Sequence, residues 1–430
     1  GISTSPRRPT HQDHRWIEGK SRILRSPAIA AHYMITDPDW GTIARSLSRR
    51  HRIVGVLPYE EGTVAPLSAL AEDLGLSWAQ PEVHHALRNK HALKELVAQN
   101  DPDVRLNVFR KVSGPEEVVE AVRDHDLRRF VLKPNDGSGN NDVAVFDGGV
   151  GIPLLREYFA SSSSEVLLEE FISGQEYWVN GQMDESGTPI VVGIGRYYRT
   201  DRNGIENLDL GKSSVGPDDP QFVALRDYAS SVMRAIGLRR SPFHLEVIVD
   251  ERGPCLVEVG GRFCGELGTL RDMAHHGPQL DLIDVAAHYY ISDRPLGDLP
   301  LDWERVRSFW TAVATGDSER DQRLVRVDGT DEIQDSPHFL FWVKKPVPSD
   351  FVFRTTSLTT RAWAVTLAGT HDQSPREIID WARRTVHLFG MHDRAWSTRE
   401  KLPMYEGLLH KAWSSRPRWY EMKALMQPVQ

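Results

Sequence analysis

The stretch HLEVIVDERGPCLVEVGGR, residues 244–262, has the pattern of two β-strands joined by a tight turn. Glu251 and Arg252 followed by Gly253 predict a three-residue hairpin loop, because glycine readily adopts the positive φ needed at the last loop position. A loop centred on Arg252 places Glu246 directly opposite Glu258. At this spacing, with Cβ atoms about 5 Å apart, like charges oppose strand pairing.

The same register divides the hairpin into two faces. The first face is wholly apolar and is therefore predicted to be buried; it comprises Leu245, Val247, Val249, Cys255, Val257 and Val259. The second face carries the two glutamates, with Ile248 opposite Leu256 and His244 opposite Gly260.

Three arrangements would relieve the repulsion between the glutamates. Both carboxylates could bind a divalent cation such as Mg²⁺, which prefers oxygen ligands. A shared proton or a nearby arginine, with Arg262 as the candidate, would also relieve it. Alternatively, both side chains point into solvent. The hairpin by itself leaves these interpretations open.

Bulk properties restrict the class of protein. A chain of 430 residues is long enough for two or three domains, and its net charge of -8 argues against a general nucleic-acid binder. Its two cysteines, Cys255 and Cys264, cannot build a disulfide framework and are predicted to be small core residues. Neither a secretory signal nor a run of apolar residues long enough to span a membrane is found, so we expect a cytoplasmic protein with a flexible tail at residues 1–20.

Periodicity predicts three domains after this tail. In residues 21–104, strand-like runs at 28–35 and 52–59 flank a helix at 39–50, which is typical of a Rossmann-like parallel α/β domain. A second helix is predicted to end at Gly75, and a single continuous helix over 81–100. Residues 105–295 are predicted to form a mixed α+β region, with a capping box from Ser113 to Glu116. Residues 296–430 are predicted to form an α+β domain with strands at 338–348 and 361–370, a helix at 374–390 and an irregular tail.

Two further stretches carry groups suited to a nucleotide. In VLKPNDGSGNNDV, residues 131–143, a strand ends in Lys133 and leads into a loop containing Gly137, Ser138 and Gly139. Backbone N–H groups of such a loop can surround phosphate oxygens, and the lysine supplies a charge. In VLLEEFISGQEYWV, residues 166–179, carboxylates follow a strand and could accept hydrogen bonds from a ribose diol. An ordinary hairpin loop and solvated acidic residues are the alternatives.

A polar segment, residues 196–220, lies between these stretches and the hairpin. Its cations could recognise a substrate carboxylate or could form a solvated face. They are Arg196, Arg199, Arg202 and Lys212.

Taken in order, five motifs resemble those of the ATP-grasp ligases. They are RNK at 88–90, VLKPNDGSG, LLEEFISGQE, HLEVIVD and LVEVGGR. Within this family the sequence is most similar to the carboxylate–amine ligases that join L-amino acids into dipeptides. The resemblance covers residues 52–290 and implies an ATP-grasp fold, within a multidomain chain of α/β and α+β class. It also implies that residues 105–295 bind nucleotide and metal, with a small lid subdomain at about 105–170.

The resemblance also implies roles for individual residues. It makes Lys90 and Lys133 phosphate-binding and catalytic, Gly137, Ser138 and Gly139 a mobile loop, and Glu246 and Glu258 the metal ligands. The adenine-binding segment would be Glu169, Glu170, Phe171 and Ile172, and Glu176 would be the ribose carboxylate. Arg262 would steady the transferred phosphoryl group or the substrate carboxylate, and His244 would contact phosphate or serve a structural role. Gly260 stands where many members have asparagine, so a third metal ligand is missing or replaced by water.

The implied activity is ATP-dependent formation of a peptide or amide bond through an acyl phosphate, with release of ADP and phosphate. The expected cofactors are ATP and Mg²⁺, with Mn²⁺ as an alternative metal. The expected partners are small carboxylate and amine substrates, such as amino acids or short peptides, and a homodimer is compatible with the resemblance. A carboxylase or phosphotransferase of the same fold, and an ATP-binding module without catalysis, are the alternative functions.

Overall fold

The computed structural model describes residues 40–49, 51–56, 61–76, 80–137, 142–162, 165–264 and 309–391, together with 282, 285 and 286. The predicted tail at 1–20, the strand at 28–35, Ser138 and Gly139 lie outside these residues. In the part of the chain that the structure describes, no helix is long and apolar enough to cross a membrane.

The amino-terminal part is helical where it is described. It contains α1 (Trp40–Ser48), a 3₁₀ turn (Glu61–Thr63), α2 (Val64–Asp73), α3 (Pro81–Arg88) and α4 (Lys90–Asn100). Gly75 follows α2 with a φ of +69°, which agrees with the predicted end of that helix. The strand predicted at 52–59 is not formed over residues 52–56, and the remainder of it lies outside the described residues.

The prediction of one continuous helix over 81–100 is wrong. Asn89 is extended, with φ -103° and ψ 102°, and separates α3 from α4. The Asn89 side chain accepts a hydrogen bond from the backbone N–H of Ala92 and so caps α4. Lys90 is therefore the first residue of α4.

A small antiparallel sheet with two helices follows. Its strands are β1 (Phe109–Val112), β2 (Arg129–Pro134), β3 (Ala144–Asp147) and β4 (Val166–Glu170), in the order β1-β4-β2-β3. Helices α5 (Pro115–Asp124) and α6 (Ile152–Ser161) share a core with this sheet that includes Phe130, Leu155 and Leu168. The capping box predicted at Ser113 is wrong, because Pro115 is the first residue of α5 and Gly114 is its N-cap.

A large sheet carries most of the remaining strands. They are β5 (Gln175–Met183), β6 (Pro189–Arg202), β7 (Ile205–Ser214), β8 (Pro242–Asp250), β9 (Gly253–Gly260), β10 (Phe309–Gly316), β12 (Phe339–Lys344) and β14 (Trp363–Thr370). Their order is β12-β14-β10-β7-β6-β5-β8-β9. Helix α7 (Phe222–Ile236) and helix α4 bury their apolar residues against β5, β6, β8 and β9. Because β7 pairs with β10, the sheet joins strands from both sides of residue 296.

A third sheet lies towards the carboxyl terminus. It contains β11 (Gln322–Asp328), β13 (Phe351–Val352) and β15 (His387–Met391), accompanied by α8 (Thr330–Asp335) and α9 (Pro375–Thr385). The helix predicted over 374–390 ends at Thr385, so that prediction is too long. Residues 387–391 pair with β11 instead, and Gly390 lies opposite Leu324 within this strand pair.

Candidate active site

The β8–β9 hairpin places Glu246 opposite Glu258, as the sequence predicts. The predicted three-residue loop is wrong, however. Asp250 pairs with Gly253, so that only Glu251 and Arg252 remain in the turn. One extra residue in β9, Val257, forms a bulge that brings the two glutamates back into opposition.

This bulge redistributes the side chains near the turn. Leu256 replaces Cys255 and Val257 on the face that packs in the core. Ile248 lies opposite Cys255 rather than Leu256, and both line a cavity on the other face. Cys255 is buried as predicted, at 1% exposure, and burial raises the pKa of its thiol.

The cavity has a volume of about 980 Å³ and lies beside strands of the small and large sheets. This volume is at the upper end for small-molecule sites, so it has room for more than one ligand. The cavity brings together every predicted site residue that the structure describes. These are Lys90, Lys133, Gly137, Glu169, Glu170, Phe171, Ile172, Glu176, His244, Glu246, Glu258 and Arg262.

Lys90 links the glycine-rich loop to the hairpin. Its Nζ donates to the backbone oxygen of Gly137 at 2.5 Å and lies 3.5 Å from Oε2 of Glu258. The backbone N–H of Lys90 also donates to the carbonyl of Asn135. The start of α4 is thus attached to the segment that follows β2.

Glu169, at the end of β4, lies between two lysines. Its Oε2 is 2.7 Å from Lys133 Nζ, and its Oε1 is 2.7 Å from Lys94 Nζ. Burial by itself would raise the pKa of Glu169, but the two ammonium groups lower it to about 2. Lys94 was not predicted as a site residue, because a lysine within an amphipathic helix gives no sign in the sequence that it is buried.

The Glu170 carboxylate is tied to the hairpin turn. Glu170 Oε1 accepts a hydrogen bond from Arg252 Nη2 at 2.7 Å. The backbone oxygen of Glu170 accepts a second one from the Asn107 side chain. Beside it, the Phe171 ring is covered by the guanidinium of Arg129 at 4.1 Å. The segment between the two sheets is therefore fixed by contacts on both sides.

Glu176 forms a two-point ion pair with Arg199. Arg199 Nε and Nη2 donate to its two carboxylate oxygens at 2.8 and 2.7 Å. Burial opposes the charge of Arg199, but Glu176 more than offsets this and raises the pKa of the guanidinium. Because a carboxylate has about four lone-pair sites, Glu176 keeps acceptor capacity for a further donor.

Glu246 is held by two neighbours on the cavity wall. Its Oε1 accepts a hydrogen bond from the Tyr197 hydroxyl at 3.1 Å and lies 3.4 Å from His244 Nε2. Burial would raise the pKa of Glu246, but the contact with His244 lowers it. His244 Nδ1 lies 2.7 Å from Asn180 Oδ1, which fixes the imidazole ring.

The hairpin offers two carboxylates to a cation. Among the described residues, no group of three or more His, Cys, Asp or Glu side chains converges as a metal site. A hard cation such as Mg²⁺ fits this set, since it commonly binds one or two carboxylates and completes its shell with water and phosphate oxygens. A Cβ atom at Gly260 would lie 3.3 Å from Arg262 Cγ, so the absence of a side chain there leaves space for the arginine.

Among the four cations of segment 196–220, only Arg199 and Lys212 line the cavity. Arg196 pairs with Asp219, and Arg202 pairs with Asp317 and Glu319. Burial lowers the pKa of Lys212 to about 8, although Asp209 acts in the opposite direction. Lys212 is predicted only as one of four cations that could recognise a carboxylate, and its burial depends on strand pairing within the large sheet, which the sequence does not show.

The carboxyl-terminal part also lines the cavity, with Arg354, Thr356, Ser357, Leu358 and Arg376. Arg354 Nη2 donates to the backbone oxygen of Asn203 and so joins this region to the β6–β7 turn. None of these residues was predicted, since nothing in the sequence indicates contact between segments so far apart.

Comparison with known proteins agrees with this architecture. A family model for the ATP-grasp domain matches residues 155–270. Dapdiamide A synthase of Enterobacter agglomerans is 26% identical over 224 residues, which cover 50% of this chain and 52% of that protein. The chain therefore matches about half the length of that relative. An uncharacterized protein, y4rH, of Sinorhizobium fredii is 24% identical over 354 residues, covering 78% of this chain and 70% of that one.

Solved structures resemble the chain over most of its length. An L-amino acid ligase from Bacillus licheniformis has a TM-score of 0.67 at 14% identity, covering 85% of this chain and 89% of that one. Phosphoribosylglycinamide synthetase from Anaerococcus prevotii has a TM-score of 0.60 at 12% identity, covering 83% and 88%. Biotin carboxylase from Campylobacter jejuni has a TM-score of 0.58 at 12% identity, covering 87% and 85%. At these identities the similarity establishes the fold, which is the one the sequence motifs predict.

Proposed function

Because the chain is an ATP-grasp protein with similarity to amino-acid ligases, we propose that it is an ATP-dependent carboxylate–amine ligase. It would form a peptide or amide bond through an acyl phosphate and release ADP and phosphate. The observation that carries the proposal is the position of the facing pair Glu246 and Glu258 in one cavity with Lys90, Lys133 and Lys212. Paired carboxylates opposite several cations suit a triphosphate with its divalent metal.

In this proposal each part of ATP has candidate partners among the residues that line the cavity. Phe171 and Ile172 offer an apolar slot for adenine, and Glu176 can accept from a ribose hydroxyl while it keeps Arg199. Lys90 and Lys133 supply positive charge for the phosphates, and we add Lys212 to this set. Glu246 and Glu258 would hold Mg²⁺ or Mn²⁺, which when bound neutralises charge on the phosphate oxygens.

The chemistry requires positioning and charge rather than a covalent nucleophile. A free carboxylate reacts poorly with an amine because its leaving group would be oxide, and phosphorylation converts this oxygen into a good leaving group. Fixed cations lower the barrier by stabilising negative charge on the transferred phosphoryl group. In our proposal Lys90, Lys133 and Arg262 have this role, and enclosure of the site limits hydrolysis of the acyl phosphate.

The substrates would lie on the side of the cavity away from the small sheet. There the β6–β7 turn faces residues of the carboxyl-terminal part, with Arg354 and Arg376 in the lining. Two guanidinium groups suit a substrate that carries a carboxylate, such as an amino acid or a short peptide.

Carboxylation on the same fold is the second candidate, and the similarity to biotin carboxylase favours it. Both candidates can be tested in one assay with ATP, Mg²⁺, bicarbonate and pools of amino acids and short peptides. We expect release of phosphate and ADP that depends on an amino acid pair, and a product whose mass equals the sum of both minus water. AMP and pyrophosphate as products would exclude the acyl-phosphate mechanism. Consumption of bicarbonate would identify a carboxylase, and accumulation of a stable phosphorylated product would identify a phosphotransferase.

A further inference from the structure

Lys94 forms part of a buried row of three charges beside the cavity. In this row the Glu169 carboxylate lies between the ammonium groups of Lys94 and Lys133, at 2.7 Å from each. Lys94 also donates to Asn107 Oδ1 at 2.5 Å. Its side chain is fully buried, so Lys94 cannot touch a ligand in the cavity.

The three residues differ in what they present to the cavity. Lys133 and Glu169 are in the lining, whereas Lys94 lies behind them. With both lysines protonated, two positive charges and one negative charge give the row a net charge of +1. Burial lowers the pKa of Lys94, and the adjacent Glu169 carboxylate acts in the opposite direction. If Lys94 were neutral, the Glu169 carboxylate would cancel the charge of Lys133 and bind its ammonium with both oxygens.

We propose that Lys94 is a positioning residue that neutralises Glu169, so that Lys133 presents a net positive charge to the phosphates of bound nucleotide. The inference rests on the proposed function, because it requires ATP to bind in this cavity. It adds a residue outside the cavity lining to the determinants of phosphate binding. Opposite charges at contact distance interact strongly in a site shielded from water. Without the charge of Lys94, the Glu169 carboxylate should therefore neutralise Lys133 more completely.

A purely structural role for Lys94 predicts a different result. Lys94 connects α4 to Asn107 and lies 5.9 Å from the centre of the Phe109 ring, so its loss could loosen the packing of α4 against the small sheet. Loosened packing would weaken binding of adenosine as well as of ATP. Removing the charge of Glu169 as well would not repair it.

The test compares binding of adenosine with that of a non-hydrolysable ATP analogue plus Mg²⁺, by calorimetry, in three proteins. These are the wild type, Lys94→Met, and the double variant Lys94→Met with Glu169→Gln. We expect Lys94→Met to weaken binding of the analogue on the order of tenfold, with adenosine affinity unchanged. The double variant regains the net charge of +1, so the ratio of its affinities for the analogue and for adenosine should return close to that of the wild type.

The outcomes separate this inference from the proposed function. Unchanged binding of the analogue by Lys94→Met, or equal weakening in the single and double variants, would overturn the role of Lys94. Failure of the wild-type protein to bind the analogue would overturn the proposed function itself. If Lys94→Met does not fold, Lys94→Gln gives the same comparison, because its amide removes the charge and retains hydrogen bonding to Asn107.

Discussion

Glu246 faces Glu258 across the β8–β9 hairpin, and both residues line the cavity. Oε1 of Glu246 is engaged by Tyr197 and His244, whereas Oε2 of Glu258 lies 3.5 Å from Lys90. Each carboxylate is therefore in contact with at least one neighbouring side chain. In our proposal this pair would bind a cation, which would remove the repulsion that this strand position otherwise carries.

Glu258→Gln should weaken binding of Mn²⁺, used as a probe for Mg²⁺, on the order of tenfold or more in the presence of an ATP analogue. A neutral amide keeps the size of the side chain but removes the charge that attracts the cation. Electron paramagnetic resonance of free Mn²⁺ measures this affinity. Glu251→Gln, which changes an exposed glutamate in the turn of the same hairpin, is the matched control and should bind as the wild type does. Equal affinity of Glu258→Gln and the control would argue against the metal site.

The pairing of these glutamates could be predicted although the turn between them was not. The predicted loop was one residue too long, and the bulge at Val257 was not foreseen, so the two errors offset each other. Strand alternation shows which residues share a face, but it does not distinguish a longer loop from a shorter loop with a bulge.

Buried cations were harder to predict than motifs. Lys94 and Lys212 are exposed by 0% and 5%, respectively. In the sequence each is a lysine among polar and apolar neighbours, as at many solvent-exposed positions. Their burial follows from contacts with Glu169 and with the paired strands of the large sheet, which sequence periodicity does not contain. The break between α3 and α4 at Asn89 is also not evident from the sequence, because asparagine is tolerated within helices as well as at their caps.

Nucleotide affinity should decrease as the pH rises through about 8, if Lys212 binds phosphate. Burial lowers the pKa of Lys212 to about 8, so its positive charge is complete below this pH and is lost above it. Lys212→Arg should retain affinity at alkaline pH, because the guanidinium stays protonated. Lys212→Met should bind weakly at all pH values. Titrations with an ATP analogue from about pH 7 to 9.5 measure these profiles. If Lys212→Arg loses as much nucleotide affinity at alkaline pH as the wild type does, the pH dependence comes from a group other than Lys212.

Loss of Arg199 should destabilise the fold because it leaves Glu176 without its partner. Both side chains of this pair are exposed by only 20%, and Arg199 donates to both carboxylate oxygens. We expect Arg199→Met to lower the free energy of unfolding by about 2 kcal/mol, a value below that for fully buried pairs because water still screens this one. Urea denaturation measures the change. Adding Glu176→Gln should recover a large part of the loss, and simple additivity of the two substitutions would contradict the pairing argument.

Gly195→Ala should both destabilise the large sheet and weaken nucleotide binding. Gly195 lies opposite Trp178 in the β5–β6 pair, and a Cβ atom there would lie only 2.0 Å from Trp178 Cζ2. The indole is 1% exposed and lines the cavity, so it has little room to move without altering the site. We expect a loss of about 1–3 kcal/mol in the free energy of unfolding, as for other overpacked cores. Gly149→Ala is the matched control, since no atom lies within 4 Å of a Cβ placed at that turn position. Thermal unfolding and titration with the ATP analogue measure the effects in the two variants. Equal stability and equal affinity of both variants would contradict the prediction and show that the Trp178 ring can move aside for a methyl group.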